Sequence, residues 1–423
     1  LLFTRRIVDP EGGIRFTGRS GDYGFGTILI NDEAPGLNRD SGDPLRGKKA
    51  NIGILRGFRD ISEQSRIGFL LTDRELGEGY NRVASVDARL KLNNNWITNM
   101  QLVGTDSEPL TGGDASTGYQ RNIQINRTGR TLSTHTHFVD TTDDFRTELG
   151  FQNRFFRPDT SGIHNSLNLN FYPENSNINT YSARVFDVYL NDNDGTRIYH
   201  QLGPSFNLSY DTTDIGFNYT DYTEILQPKD FAGIVTNQRY DYDNWQVNFY
   251  NNAFEAAVVR LSYRTGKTLN LVPQRGSLPY VADTNRTDIS LTLRPMDRLR
   301  IENTYFRTEL ENQGGGAKIF SNEIIRSNWN YQFTKELSLR FIAQYDETDA
   351  GPATRLEDDE NLNFDMLLRY VINPWSAFYI GYNSNQSNFD IVEMEGEREL
   401  VVANNLRQDG DQFFVKFSYL FQR

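Results

Sequence analysis

The sequence predicts an all-β protein: a transmembrane antiparallel β-barrel of about 22 strands, within a range of roughly 20 to 24, with no N-terminal plug. Three observations carry the prediction. Apolar and polar residues alternate with a period of two from one end of the chain to the other, and amphipathic helical periodicity is lacking. The alternating stretches run to roughly 10 to 13 residues, twice the ordinary length of a soluble strand. Short and long connections tend to alternate between them, as tight turns at one rim and longer loops at the other require.

Composition fits the same architecture. Of 423 residues, 37% are hydrophobic and 13% aromatic, with 28 Phe and 22 Tyr. A one-residue-thick apolar skin over a polar interior needs few aliphatic residues and gathers aromatics at the lipid–water borders. Mean hydropathy is −0.62, and no run approaches the ~20 apolar residues of a membrane helix. A barrel hides its membrane signal in alternation. The chain has no cysteine, so neither a disulfide framework nor a thiolate metal site is available. A net charge of −12 with no basic stripe excludes nucleic acid as a partner. The first residues, Leu1-Leu2-Phe3-Thr4-Arg5-Arg6, lack the apolar core and cleavage site of a signal peptide, so a mature or trimmed product is expected.

Residues 1–12 read as a periplasmic lead-in and 13–423 as the barrel, with the first strand near Ile14–Gly18. An early span sets Val86, Ala88, Leu90 and Leu92 against Asp87, Arg89 and Lys91. Later ones set Ile289, Leu291 and Leu293 against Ser290, Thr292 and Arg294, then Leu299, Ile301 and Tyr305 against Arg298, Arg300 and Glu302. The clearest sets Leu337, Leu339, Phe341, Ala343 and Tyr345 against Arg340, Gln344 and Asp346. Phe364, Met366, Leu368 and Tyr370 oppose Asp365 and Arg369. Gln238–Asn251 and Ala256–Thr265 read as strands, Leu271–Ala282 as a loop broken by two prolines. Short turns fall at 93–95, 127–129 and 295–297, and long loops at 31–48, 105–114 and 390–410. The last strand, Phe413–Phe421, puts Phe413, Val415, Phe417, Tyr419 and Phe421 on one face, a pattern that looks like the signal read by the barrel-assembly machinery.

Ile14-Arg15-Phe16-Thr17-Gly18-Arg19, the stretches ANIGILRGFRD (50–60) and RIGFLLTDR (66–74), Asn81-Arg82-Val83 with Asp87-Ala88, and the closing FFVKFSYLF occur in an order with specific spacing. In that order they resemble an uncharacterised bacterial outer-membrane barrel domain family, usually found downstream of a family-9-like carbohydrate-binding β-sandwich. The resemblance spans essentially the whole chain. It implies a barrel resident in the cell outer membrane, surrounded by lipid and lipopolysaccharide, and it supplies no catalytic residue. The upstream sandwich is lacking here, which leaves a sugar-binding role unsupported.

Candidate chemistry is sparse. His135 and His137 share one strand face with Val139, while Leu132 and Phe138 mark the lipid side; His164 is expected two strands later. Three lumen histidines within reach of one another would suit a transition metal, but the expected strand separation is wide and no carboxylate is paired with them, so they read as polar lining, with no metal. Asp192-Asn193-Asp194-Gly195 reads as a hairpin turn, because the calcium-loop register fails at Leu190 and Gln201. The acidic run 357–360 reads as an external loop, a solvated face or a cation-mediated contact with lipopolysaccharide. Gly314-Gly315-Gly316 is a loop tip without the Lys-Ser/Thr of a phosphate cradle. No nucleophile–base pair is identifiable, so an enzyme is not expected, and no cofactor is called for.

The inward charges carry the functional reading. Arg89, Lys91, Arg294, Arg298, Arg300, Arg326, Arg340, Arg369 and Lys416 face the lumen together with Asp87, Glu302, Asp346 and Asp365. Either ion pairs brace the wall, or the wall is locally positive and lines a passage for polar, anionic solutes. The first reading of function is therefore a pore or transport channel. The alternative is a structural anchor with an occluded lumen, holding a protein partner or a soluble carbohydrate-binding domain at the membrane.

Overall fold

The structure is a computed structural model that describes residues 2–37, 39–110, 112–150, 157–373, 375–394 and 397–419. Those residues form 21 β-strands and two short 3-10 turns, Thr4–Arg6 and Ala34–Gly36. No helix is long and apolar enough to cross a membrane. The chain divides into two compact units, Leu1–Asn170 with Arg184–Leu202, and Phe171–Ala183 with Gly203–Arg423.

Unit 1 holds β1 (Pro10–Ser20), β2 (Tyr23–Asp32), β3 (Ala50–Ser62), β4 (Ser65–Leu76), β5 (Gly79–Lys91), β6 (Trp96–Glu108), β7 (Ser116–Arg127), β8 (Leu132–Thr141) and β9 (Thr160–Phe171). Each pairs antiparallel with the next. β10 (Ile178–Asn191) and β11 (Arg197–Tyr210) give residues to both units. At one end of the unit-1 strands the connections are tight, at 21–22, 63–64, 92–95 and 128–131. At the other end three of four are longer, at 33–49, 109–115 and 142–159, while 77–78 stays short.

Unit 2 holds β12 (Thr213–Leu226), β13 (Gln238–Phe254), β14 (Ala257–Asn270), β15 (Tyr280–Met296), β16 (Leu299–Glu311), β17 (Lys318–Gln332), β18 (Leu337–Ala350), β19 (Asp359–Asn373), β20 (Ser376–Met394) and β21 (Glu397–Ser418). These too form an antiparallel meander. Tight connections at 255–256, 297–298, 333–336 and 374–375 alternate with longer ones at 227–237, 271–279, 312–317 and 351–358. Two of the longer ones are stitched together: Pro273 bridges Thr354, whose hydroxyl donates to the Val272 carbonyl at 2.6 Å.

The period-two pattern becomes two chemically distinct faces, because successive side chains of a strand point oppositely. One face exposes large apolar side chains: Ile67, Val86 and Leu102 in unit 1, Trp245, Ile325, Met366 and Phe413 in unit 2. The other carries most of the polar groups. The strands run from 10 to 22 residues, enough for a tilted crossing of the roughly 30 Å hydrocarbon layer.

Several expectations need correcting. β1 begins at Pro10, so the lead-in is shorter than 1–12. The described residues give 21 strands, within the expected range of 20 to 24 but not the even number argued from closure. The 390–410 stretch is not a long loop; β20 continues to Met394 and β21 starts at Glu397, so its described residues form an extended hairpin. The run 357–360 is only half loop, since Asp359 and Glu360 open β19. As expected, by contrast, Asp192–Gly195 is the β10–β11 turn, with Gly195 at φ +87° and the Asp192 carboxylate accepting from the Thr196 amide at 2.7 Å. Phe421 lies outside the described residues.

Candidate functional site

In unit 1 the polar face changes character along the strands. Toward the tight-turn end, Asp87 and Arg89 of β5 border an open recess of about 370 Å³ with Arg56, Asn99, Gln101, Asn122 and Gln124. Arg56 on β3 reaches over β4 and donates to Asp87 on β5, with Nη2 to Oδ1 at 2.8 Å and a second, shorter bond from Nη1. Gly68 stands between them in the ladder, directly opposite Asp87. A Cβ there would lie 2.7 Å from Arg56 Nη2 and 2.9 Å from the Gly57 carbonyl oxygen, so the missing side chain is what lets the guanidinium cross. The expected wall residues Asp87 and Arg89 thus come together, and Arg56 is the partner that sequence reasoning missed. Its strand puts Arg56 on one face with Ile52 and Ile54, which by apolarity alone reads as the lipid side.

Toward the other end the same face is apolar and covered. Residues 143–149 of the following connection fold back onto it. Phe145, 1% exposed, packs on Val83 and Val103, and Leu149, 1% exposed, joins Ile52, Ile54, Leu70 and Leu76, with Leu2 and Ile7 against the cluster. Asn81 of β5 ties the segment down. Its Nδ2 donates to Ser107 Oγ at 2.7 Å and to the Arg146 carbonyl at 3.1 Å, and its Oδ1 accepts from the Glu148 amide at 3.0 Å. Arg74 pairs with Glu148. The segment passes so close to β7 that a Cβ on Gly118 would lie 2.4 Å from the Phe145 nitrogen. An inward-folded segment on the polar face had no signal in the alternation.

The histidines lie beside this region. The antiparallel pairing of β8 with β9 sets His164 opposite His137, so His164 is on the next strand rather than two strands away. His135, His137 and His164 each offer a ring nitrogen within 4.8 Å of the other two. The expectation that these rings are widely spaced is therefore overturned.

In unit 2 the predicted charges share one face. Arg300, Asn330 and Arg340 stand in cross-strand register, as do Arg369, Tyr379 and Lys416. Arg326 is opposite Thr304 and Gln344. The anions are all engaged: Glu302 with Arg300 and, at 3.2 Å, Asn328; Asp346 with Asn322 at 3.2 Å; Asp365 with Asn383 at 2.6 Å. Arg298 donates to the Phe333 carbonyl at 3.3 Å. Among the described residues, Arg294, Arg326, Arg340, Arg369 and Lys416 enter no ion pair, and neither do Arg89 and Lys91 in unit 1. Among the sequence-predicted wall charges, ion pairing engages Asp87, with Arg56, and Arg300, with Glu302; Arg286–Asp288 at 3.1 Å is a further pair on the polar face of unit 2. The remaining cations need water.

No family model matches the chain, and no curated protein does. Solved structures do. The siderophore receptor PirA from Pseudomonas aeruginosa aligns with a TM-score of 0.51 at 13% identity, covering 95% of this chain and 82% of the receptor. PirA from Acinetobacter baumannii gives 0.51 at 10%, over 89% and 74%. The ferric enterobactin receptor PfeA from Pseudomonas aeruginosa gives 0.52 at 12%, over 89% and 72%. The likeness is one of fold. At these identities it carries no residue role across.

Proposed function

We propose that the chain is an outer-membrane β-barrel that provides a gated passage for polar, preferentially anionic solutes. The single observation that carries the reading is the set of cations on the polar face of unit 2 that have no ion-pair partner, on strands whose opposite face exposes large apolar side chains. Such a face is stable only against water, and such an opposite face only against lipid. The fold shared with siderophore receptors supports a transport role, and residence in the outer membrane agrees with the family resemblance set out above. The passage is gated rather than open in this reading, because the segment 143–149 covers part of the polar face of unit 1. Phe413, Val415 and Phe417 of β21 and Tyr419 just after it, all exposed, serve as the assembly signal, and Asp359 and Glu360 with the preceding connection meet lipopolysaccharide. No catalytic role is proposed.

The test is reconstitution of purified protein in a planar bilayer. Steady single-channel currents with a reversal potential favouring chloride over potassium under a salt gradient are expected. Complete absence of current, in the wild type and in variants with segment 143–149 released, would sink the passage and favour the membrane anchor, whose support is the same covering segment.

A further inference from the structure

We propose that His135, His137 and His164 form a binding site for one divalent transition-metal ion of the zinc, copper and nickel class on the polar face of unit 1. The fold assembles the ligands from few constraints. Residues two apart on β8 project to the same side, and the β8–β9 register brings His164 directly across from His137. The His135 and His164 rings meet at 4.9 Å between centroids, and one nitrogen from each of the three rings lies within 4.8 Å of the others. A metal held at ~2.0–2.1 Å by three imidazoles draws their nitrogens to about 3.4 Å apart. Closing that difference calls for adjustment of the ring torsions on two adjacent strands.

A second observation is independent of this proximity. The amide oxygen of Asn126 sits 2.6 Å from His135 Nδ1, and that of Asn122 sits 3.1 Å from His137 Nε2. A carbonyl oxygen only accepts, so those two nitrogens carry the protons. The lone pairs are thereby fixed on Nε2 of His135 and Nδ1 of His137. Ring N–H groups anchored to carbonyl oxygens are the usual means by which metal-ligating imidazoles are oriented and made more basic. Rings that merely pack together need no such fixed tautomers.

The ligand set also selects the metal. Three imidazoles without thiolate suit zinc, copper or nickel and disfavour calcium and magnesium, which take oxygen ligands. Three protein ligands leave a coordination position for an exchangeable group. Arg184 of β10 stands close by, its guanidinium 5.7 Å from the Phe186 ring, which meets the His164 ring at 4.6 Å. A cation there favours an anion, such as chloride or hydroxide, in the remaining position. The assignment does not depend on solute passage, since protein that conducts nothing would still bind the ion.

The experiment uses the full chain without a histidine tag, in detergent, stripped with a chelator and titrated with Zn²⁺ by calorimetry. One equivalent is expected to bind, and His137→Ala and His164→Ala each abolish that binding. Asn122→Ala with Asn126→Ala weakens it about tenfold or more. His200→Ala, which removes the remaining histidine, leaves it unchanged. Cu²⁺ bound to the wild type is expected to show nitrogen hyperfine structure from several imidazoles, a readout that needs no variant to fold. Absence of a stoichiometric Zn²⁺ equivalent, or a copper spectrum with oxygen ligands alone, overturns the proposal.

Discussion

At the scale of single residues, the arrangement depends on groups whose work is invisible in their own neighbourhood of the chain. Asn81 makes three hydrogen bonds, two of them to a segment more than sixty residues away. Asn81→Ala removes the acceptor of the Glu148 amide and a donor to the Arg146 carbonyl, and leaving such buried groups unpaired costs ~1–3 kcal/mol each. The expected result is faster tryptic cleavage at Arg146 in detergent, by about tenfold or more, with strand content by circular dichroism unchanged. Cleavage at the wild-type rate would show that Asn81 does not hold the segment. Asn81 stands out in the sequence only as part of the Asn81-Arg82-Val83 stretch, with no sign of this role, since nothing local specifies a partner so far along the chain. Asp87 and Arg89 were legible as wall residues through strict alternation. Arg56 was not, because apolar Ile52 and Ile54 share its face and face Leu149 rather than lipid.

At the scale of elements, strand identity was legible and connectivity less so. Alternation located β5, β15, β16, β18 and β19 because each keeps one face apolar. It failed in two kinds of place. The charge-rich stretch at 390–410 reads as loop, although a long hairpin needs no apolar face along its whole length. The separation expected between His137 and His164 implied a strand between them; among the described residues of 142–159 there is none, and the apolar side chains that look strand-like, Phe145 and Leu149, pack on other strands instead. The docking of that segment relies on close backbone approach at β7. Gly118→Ala forces the Phe145 backbone to shift, at the ~1–3 kcal/mol typical of overpacking. Single-channel recordings are expected to show a larger open fraction than the wild type, and an unchanged open fraction would separate the segment from gating.

At the scale of the whole molecule, charge is sorted. The chain is acidic overall, with 56 acidic against 44 basic residues, yet the polar face of unit 2 carries cations with no anionic partner. Replacing Arg340, Arg369 and Lys416 together by Glu is expected to reverse the sign of the reversal potential under a salt gradient, from anion toward cation preference. Raising the salt concentration should shrink the difference between the two proteins, as screening over a Debye length of about 8–10 Å demands. A reversal potential insensitive to the triple substitution would locate the selectivity elsewhere. This sorting was legible as a list of cations on one strand face. Which of them lack partners was not, because pairing depends on cross-strand register.

The reach of Arg56 across β4 has a consequence for how the sheet zips up. The guanidinium finds Asp87 only when β3, β4 and β5 are all in native alignment, since the gap it crosses is one residue wide. A slip of β4 by a single position would put Ile67 or Phe69 at that point and turn every side chain of the strand to the opposite surface. The charge would then be stranded without Asp87, so the ion link disfavours that misaligned register relative to the native one.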